Sequence, residues 1–298
     1  MLTIRGLRKS YGTVEVLKGV DLNLEAGEVY GLVGKNGAGK TTLMNIVAGQ
    51  LSANGGEISL GGNEPFSAPG RIAYILDIPA VYGFMTAYEY LAFIASGTED
   101  SSEKVKSRSE ELLRLVGLEG VGSRRIKQFS RGMQQRFGIA AGIYADPELI
   151  LMDEPCSALD PQGRFEVNNI IMQLAAGGKT ILLSTHILSD VERVCTKIGL
   201  LMNGKIGFEG TKEELFRKYS VPVFEIRSED NEKLSGLLEG GFILDKRQDR
   251  ESLYVTIDDS GENEKKLFAM LAASGLRIDR YGRRQVTLEE IFVRESAL

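Results

Sequence analysis

The sequence predicts an α/β domain over residues 1–218, followed by a small α+β domain over residues 220–298. The first observation behind this prediction is a glycine-rich segment, residues 34–41, set between a short apolar run and a stretch with helical spacing of apolar residues. The second is a set of further apolar runs that end in polar residues, as buried strands do. The third is the order β-α-β-β-α-β beyond Pro222, which is the ferredoxin-like arrangement.

The composition narrows the classes of protein. Of the 298 residues, 43% are hydrophobic and 26% are charged, which is ordinary for a soluble globular protein. The formal net charge of −5 argues against nucleic acid as the main partner. No apolar run has the length of a membrane span, and we see no signal peptide. The two cysteines, Cys156 and Cys195, fit a reducing compartment, and His186 is the single histidine.

Residues 34–41 follow the pattern G-x-x-x-x-G-K-T of a phosphate-binding loop, or P-loop. Glycines let the backbone curl so that N–H groups point at phosphate oxygens, and the following helix adds its positive N-terminal end. The lysine can reach the β- and γ-phosphates, and the threonine hydroxyl can ligate Mg²⁺. We therefore predict a nucleoside triphosphate site, against the alternative of a plain glycine turn. The expected nucleotide contacts are Gly34, Asn36, Gly37, Ala38, Gly39, Lys40 and Thr41.

Strands are expected on both sides of the P-loop and its helix. The sequence predicts them at residues 3–5, 20–24, 29–33, 55–62 and 71–76. Tyr11, between the first two, either stacks on a purine ring or is an ordinary aromatic at a strand end. Spacing alone favours the ordinary aromatic.

A helical subdomain is expected over about residues 78–145. Residues 86–96 predict a helix capped by Thr86, with Glu89 completing a capping box. Residues 105–116 predict a second helix, and Ser130 is a plausible N-cap of a third that runs to about residue 145.

Polar residues end two buried strands of the second half of the domain. Asp153 and Glu154 follow the apolar run 148–152, where P-loop enzymes place a carboxylate that binds Mg²⁺. Glu154 could polarise a water, or the two acids could simply be solvated. His186 ends the run 179–185, where α/β sheets place ligand-binding groups, although a lone histidine is often incidental.

The C-terminal domain shows no catalytic constellation. Its strands are predicted at residues 223–227, 241–247, 252–258 and 275–281, and its helices at 231–239 and 262–274. A last amphipathic segment, residues 287–293, is expected to dock Leu288, Ile291 and Phe292 onto a core.

Five motifs together resemble the ABC-transporter ATPase family in their order and spacing. They are the P-loop, Ser130–Gln134, Leu151–Pro155, Ser157–Asp160 and Ser184–His186, and the resemblance covers about residues 1–218. The C-terminal domain, ending in residues 287–292, resembles that of the ATP-binding subunits of bacterial export systems for drugs, bacteriocin immunity, and polysaccharides or lipids.

The resemblance implies a role for each matching residue. Tyr11 would stack on adenine, so the resemblance reverses the preference for an ordinary strand-end aromatic that spacing alone gives. Lys40, Thr41 and Thr42 would contact phosphate and Mg²⁺, Asp153 would bind Mg²⁺, Glu154 would polarise the attacking water, and His186 would sense the γ-phosphate. Ser130 and Gly132 would contact ATP bound to a second subunit, and Asp160 would lie in the loop that links the two ATP sites.

Two departures from the usual family pattern bear on the site, and Cys156 stands out within the pattern. The family signature is typically Leu-Ser-Gly-Gly-Gln, whereas residues 129–133 read Phe-Ser-Arg-Gly-Met. Arg131 either adds charge near phosphate or faces solvent. Asp77 stands where the family usually has glutamine and could bind Mg²⁺ through water. Cys156 is either a small residue in a tight turn or a thiol whose modification would block closure.

The function implied is that of an ATP-hydrolysing subunit of an ABC exporter at the cytoplasmic face of a bacterial membrane. Its cofactors would be ATP and Mg²⁺, and its partners a separate membrane-spanning permease and a second copy or homologous ATPase. The insert 78–128, with Tyr82, Phe84, Met85 and Tyr88, is either the docking surface for the permease or simply a core of its own. The alternatives are a non-transport ABC ATPase acting on ribosomes or nucleic acid, and a nucleotide-sensing regulator with little turnover.

Overall fold

A computed structural model of the chain describes residues 1–65, 70–97, 101–219, 222–258, 261–284 and 287–295. The chain divides into two compact units, Met1–Lys212 and Glu213–Leu298. Residue 220, the predicted start of the second domain, lies outside the described residues.

The first unit contains two sheets. Its strands are β1 (Leu2–Tyr11), β2 (Val14–Leu24), β3 (Val29–Val33), β4 (Gly55–Leu60), β5 (Ile72–Ile75), β6 (Leu149–Asp153), β7 (Thr180–Thr185), β8 (Lys197–Met202) and β9 (Lys205–Thr211). One sheet is antiparallel with the order β2-β1-β4, and the other has the order β5-β6-β7-β3-β8-β9. In the larger sheet, neighbouring strands from β5 to β8 run parallel, and β9 pairs antiparallel with β8.

The three central strands of the larger sheet are β6, β7 and β3, and every residue in them is buried. This explains their almost continuous apolar sequences, because a parallel sheet is covered on both faces. Parallel strands end at the same edge of a sheet. The P-loop, the acids after β6 and the histidine after β7 are therefore brought to one edge by adjacent strands.

Helices pack around this sheet and form the subdomain that joins β5 to β6. They are α1 (Lys40–Val47), α2 (Ala87–Ala95), α3 (Ser102–Leu115), α4 (Arg131–Gly142), α5 (Pro161–Ala176) and α6 (Leu188–Val194). A further helix, α7 (Lys212–Tyr219), begins at the boundary between the two units. Leu43 and Met44 of α1 lie in one core cluster with Leu149, Leu151 and Leu182 of the sheet.

The helix starts of the subdomain follow from capping side chains. Thr86 and Glu89 form the predicted capping box at α2. The second helix, α3, begins three residues earlier than predicted, because the Ser101 hydroxyl accepts the Lys104 N–H and fixes the start there.

The second unit has the predicted order of elements. Its strands are β10 (Val223–Ser228), β11 (Ile243–Gln248), β12 (Leu253–Ile257) and β13 (Ile278–Arg284), and its helices are α8 (Asn231–Leu237), α9 (Gly261–Ala273) and α10 (Leu288–Glu295). The antiparallel sheet has the order β11-β12-β10-β13.

The last strand, β13, begins three residues later than predicted. Gly275 has φ of 68° and extends the turn after α9, so the chain is not yet extended at residue 275. In α10, Leu288 and Ile291 are buried, as predicted, whereas the side chain of Phe292 lies outside the described part. Among the helices that the structure describes, none combines the length and apolarity needed to cross a membrane.

Candidate active site

The P-loop curls around the ammonium group of Lys40. This side chain is only 6% exposed, and its Nζ donates to the Gly34 carbonyl oxygen at 2.8 Å. Gly39, the N-cap of α1, has φ of 106°, and a Cβ there would lie 2.9 Å from the Leu17 side chain. Because glycine offers no capping side chain, the first N–H groups of α1 are left for another acceptor, which is what an anion site requires. Thr41 is exposed and Thr42 is partly exposed at the start of the same helix.

Glu154 joins the P-loop to the end of β7. Its Oε1 lies 3.3 Å from Lys40 Nζ, and its Oε2 lies 2.8 Å from His186 Nδ1. Its backbone has φ of 49°, which costs a residue with a side chain about 1 kcal/mol. The Glu154 N–H donates to the Ser184 carbonyl oxygen at 3.0 Å and holds this conformation. The sequence-predicted Lys40, Glu154 and His186 thus form one connected cluster.

Asp153 is buried beside this cluster and is held at both carboxylate oxygens. Ser184 Oγ donates to its Oδ1, and the Tyr74 hydroxyl donates to its Oδ2 at 3.4 Å. Burial raises the pKa of the Tyr74 phenol well above its usual value, and the charges of Asp153 and Asp77 raise it further. Tyr74 therefore stays protonated and keeps its role as a donor.

Asp77 lies just beyond β5, which pairs with β6, but it is exposed. Its own Oδ1 accepts the Ile78 N–H at 2.7 Å, and Gln135 Nε2 donates to the neighbouring Leu76 carbonyl oxygen at 3.1 Å. In the described part of the chain, no three His, Cys, Asp or Glu side chains cluster as metal ligands. The Asp153 carboxylate and the Thr41 hydroxyl carry oxygen atoms of the kind that Mg²⁺ prefers as ligands.

The remaining predicted contacts lie outside the cluster. Tyr11 ends β1 and is half exposed, so part of its ring is accessible for stacking, while Lys9 Nζ lies over the ring at 5.5 Å from its centroid. Ser130 is exposed and caps α4, where its Oγ accepts the Met133 N–H at 3.3 Å. A Cβ added at Gly132 would meet nothing within 4 Å. No hydrogen bond or ion pair among the described residues joins Ser130 or Gly132 to the P-loop of the same chain.

Cys156 is buried, and desolvation raises the pKa of its thiol to about 12. Its Sγ lies 3.6 Å from Asn168 Oδ1, to which the protonated thiol can donate. These observations support a small buried residue over a reactive thiol. Asp160 caps α5, and its Oδ1 accepts the Gly163 N–H at 2.8 Å.

Sequence reasoning missed Ser184 and Tyr74 as partners of Asp153. Ser184 did leave a signal, since it is a polar residue within a strand that is otherwise mostly apolar. Tyr74 left none, because an aromatic residue in a strand is ordinary.

Comparison with known proteins identifies the family. Residues 17–157 match the ABC transporter family, and residues 210–295 match the C-terminal domain of DrrA1-3-like ATP-binding proteins. The chain is 34% identical over 298 residues to YxlF of Bacillus subtilis (strain 168), an uncharacterized ABC transporter ATP-binding protein, and the match covers 99% of both chains. The chain belongs to the ABC transporter ATP-binding proteins.

Two further relatives of this family have named roles. The daunorubicin/doxorubicin resistance ATP-binding protein DrrA of Streptomyces peucetius is 31% identical over 97% of this chain and 90% of its own. The lantibiotic transport ATP-binding protein SrtF of Streptococcus pyogenes is 39% identical over 72% of this chain and 96% of its own. These relatives give no support to an ATPase that acts on ribosomes.

Solved structures agree with the family. The ATP-binding subunit of an ABC transporter superposes with a TM-score of 0.66 and 32% identity over 74% of this chain and 93% of its own. A dimeric ATP-binding cassette with ADP and phosphate bound, in a post-hydrolysis state, gives a TM-score of 0.64 and 25% identity over 71% of this chain and 98% of its own. The predicted ABC-type fold and ATPase activity are confirmed.

Proposed function

We propose that this ABC ATPase powers an exporter, hydrolysing Mg²⁺-ATP between two ATPase subunits to drive a separate membrane-spanning subunit. The observation that carries the proposal is the cluster in which Glu154 contacts both Lys40 and His186. Export as the direction of transport is supported by the drug-resistance relative and by the DrrA-like C-terminal domain. Selectivity for the cargo would reside in the membrane subunit, whose chains would touch it.

Each residue of the cluster has a part in this proposal. Lys40 and the N–H groups of residues 34–41 would bind the β- and γ-phosphates. Thr42 would be a further contact to the phosphates and Mg²⁺. Tyr11 would stack on the adenine ring. Thr41 and Asp153 would hold Mg²⁺, with Asp77 reaching it through water. A bound Mg²⁺ would neutralise charge on the phosphate oxygens.

Glu154 and His186 would carry the chemical step. The Glu154 carboxylate would accept a hydrogen bond from the attacking water and orient it toward the γ-phosphate. The His186 ring, 2.8 Å from Glu154 Oε2, would keep that carboxylate in place and contact the γ-phosphate. A regulator with little turnover has no need of this pair, so the contact favours an active ATPase.

A second ATPase subunit would complete the site. Ser130 is exposed at the N-terminus of α4, and the surface at Gly132 is open, so both are accessible to a partner. They would contact ATP bound to the P-loop of a second copy or of a homologous ATPase, which makes a two-fold dimer with two shared sites. Asp160 lies six residues after Glu154 and would link the two ATP sites of the dimer. Loss of the γ-phosphate would release the dimer.

The helical subdomain offers a surface for the membrane subunit, which would place the protein at the cytoplasmic face of the membrane. Tyr82 and Phe84 are exposed, and the Tyr82 ring lies 5.7 Å from that of Phe84. Ile78 and Phe93 are exposed as well, and the ring centroids of Phe93 and Tyr82 lie 6.0 Å apart. We name Tyr82, Phe84 and Phe93 the aromatic patch. Met85 and Tyr88, by contrast, are partly buried.

The decisive experiment compares Glu154→Gln with Glu148→Gln, a matched change at a glutamate that pairs with Arg71 instead. Glu154→Gln should bind ATP, lose about 100-fold or more of its turnover, and accumulate as an ATP-bound dimer. Light scattering after gel filtration with ATP measures the dimer, and phosphate release measures turnover. A Glu154→Gln protein that hydrolyses ATP at the rate of Glu148→Gln and stays monomeric would refute the mechanism.

A further inference from the structure

Glu154 and His186 are connected twice, once directly and once through three buried side chains. The direct connection is the contact of 2.8 Å between Glu154 Oε2 and His186 Nδ1. The indirect connection runs through Cys156, Asn168 and Asp190, which are all less than 10% exposed. Cys156 lies two residues after Glu154 and Asp190 lies four residues after His186, so short stretches of backbone complete the indirect connection at both ends. Together the direct and indirect connections close a ring.

Asn168 is the centre of the indirect connection because it uses both ends of its amide. Its Oδ1 lies 3.6 Å from Cys156 Sγ, and its Nδ2 donates to Asp190 Oδ1 at 2.9 Å. Cys156 belongs to the loop that follows β6, and Asp190 belongs to α6, which follows β7. Asn168 itself lies on α5, so one side chain ties together three elements of the site.

Asp190 is a buried acid that depends on few partners. Arg164 NH2 donates to its Oδ1 at 3.2 Å, and the same guanidinium donates to Ser189 Oγ at 3.2 Å. Asp190 Oδ2 is buried and has no hydrogen-bond partner in the part of the chain that the structure describes. A buried charge is destabilised when a partner is removed. Removing Asn168 or Arg164 would therefore weaken the link that Asp190 makes between α6 and α5.

We propose that Asn168 and Asp190 are positioning residues, which fix the separation of Glu154 and His186 through the ring. This inference rests on the roles proposed above for Glu154 and His186. Neither residue would touch nucleotide or water. They would instead set the relative geometry of Glu154 and His186, which do make these contacts. The rate of a chemical step is highly sensitive to such geometry.

The chain offers a matched control at the next residue of the same helix. Asn169 Oδ1 accepts from Arg193 NH2 at 3.2 Å, so it also joins α5 to α6, but it lies outside the ring. Asn168→Ala should lower kcat of the full-length protein about tenfold and leave KM for ATP within about twofold. Asn169→Ala should leave both constants unchanged.

The single histidine provides a second measurement that does not depend on turnover. In protein labelled with ¹⁵N-histidine and free of nucleotide, the ring nitrogen signals report the hydrogen bond to Glu154. Asn168→Ala should shift these signals in the same sense as Glu154→Gln, and Asn169→Ala should not shift them. Should Asn168→Ala fail to fold, the contact between Cys156 and Asn168 can be tested from the cysteine side. Cys156→Ala removes the donor to Asn168, whereas Cys156→Ser keeps one. Cys156→Ser should therefore hydrolyse ATP faster than Cys156→Ala.

The outcomes separate the two proposals. Normal turnover by Glu154→Gln would overturn the proposed function. If Glu154→Gln is inactive while Asn168→Ala matches Asn169→Ala in kcat and in its histidine signals, the positioning role is overturned and the proposed function stands. Equal rates for Cys156→Ala and Cys156→Ser would also count against the ring.

Discussion

Lys40 Nζ and Glu154 Oε1 lie 3.3 Å apart, so the P-loop lysine is ion-paired with the glutamate proposed to orient water. Both side chains are largely buried, and Lys40 also donates to Gly34. A γ-phosphate binding at Lys40 would have to share the ammonium with this carboxylate. ATP binding at Lys40 would therefore weaken the pair.

Glu154→Gln should accordingly bind ATP more tightly, in addition to its loss of turnover. The neutral amide neither competes for Lys40 nor repels phosphate, and removing about 1 kcal/mol of such competition would lower Kd about fivefold. Titration calorimetry with ATP in the absence of Mg²⁺ measures this without hydrolysis. Glu148→Gln serves as the control, and equal Kd values for the two variants would show that the pair does not oppose binding.

Tyr74→Phe should weaken the proposed Mg²⁺ contact of Asp153. The variant removes the hydroxyl that donates to Asp153 Oδ2 and would orient the carboxylate proposed to hold the metal. Because the O–O distance is 3.4 Å, we expect a small effect, about threefold in the affinity for Mn²⁺ in the presence of ATP. Electron paramagnetic resonance of free Mn²⁺ measures it. Tyr90→Phe, which loses a bond to the Ala80 carbonyl oxygen, should bind Mn²⁺ normally.

The buried cysteines should make stability fall at alkaline pH. Burial raises the pKa of both the Cys156 and Cys195 thiols from 9.0 to about 12. Between these two values the unfolded chain releases protons that the folded chain retains, so the free energy of unfolding decreases as pH rises from about 9 to about 12. Each cysteine should contribute about 1 kcal/mol of this decrease per pH unit above 9.

Urea unfolding at pH 8 and pH 10 measures this dependence, with Cys195→Ala as the comparison. The variant should lose less stability between the two pH values than the parent does, because one of the two thiols is gone. Alkylation of the folded protein at pH 8 should also be far slower than in urea. An equal loss of stability in parent and variant would mean that the Cys195 thiol is not perturbed by folding.

Much of the fold followed from the sequence because apolar runs, glycines and capping residues act locally. The capping box of Thr86 and Glu89 and the N-cap Ser130 are examples, since each is set by residues three positions apart. The family resemblance implied that Lys40, Glu154 and His186 share one ATP site, and they meet because parallel strands end at one edge of the sheet. The partners of Asp153 and the ring through Asn168 did not follow, since they join residues from separate elements that only tertiary packing brings together.

The aromatic patch gives the most direct test of the proposed membrane partner. Phe84 is 67% exposed and contacts the Tyr82 ring, so Phe84→Ser removes apolar surface without opening a core. Phe268→Ser is the matched control, since Phe268 is 60% exposed and lies in the second unit. Both variants should keep the ATPase rate of the isolated protein within about twofold.

Only Phe84→Ser should lose the membrane partner. An exposed aromatic anchor at an interface contributes about 2 kcal/mol, so we expect recovery of a multi-span membrane protein to fall severalfold or more. Affinity purification from detergent-solubilised membranes, followed by mass spectrometry, measures the recovery. If the membrane protein is recovered equally with both variants, the patch is not the docking surface. If the parent recovers ribosomes and no membrane protein, the proposed exporter itself is refuted.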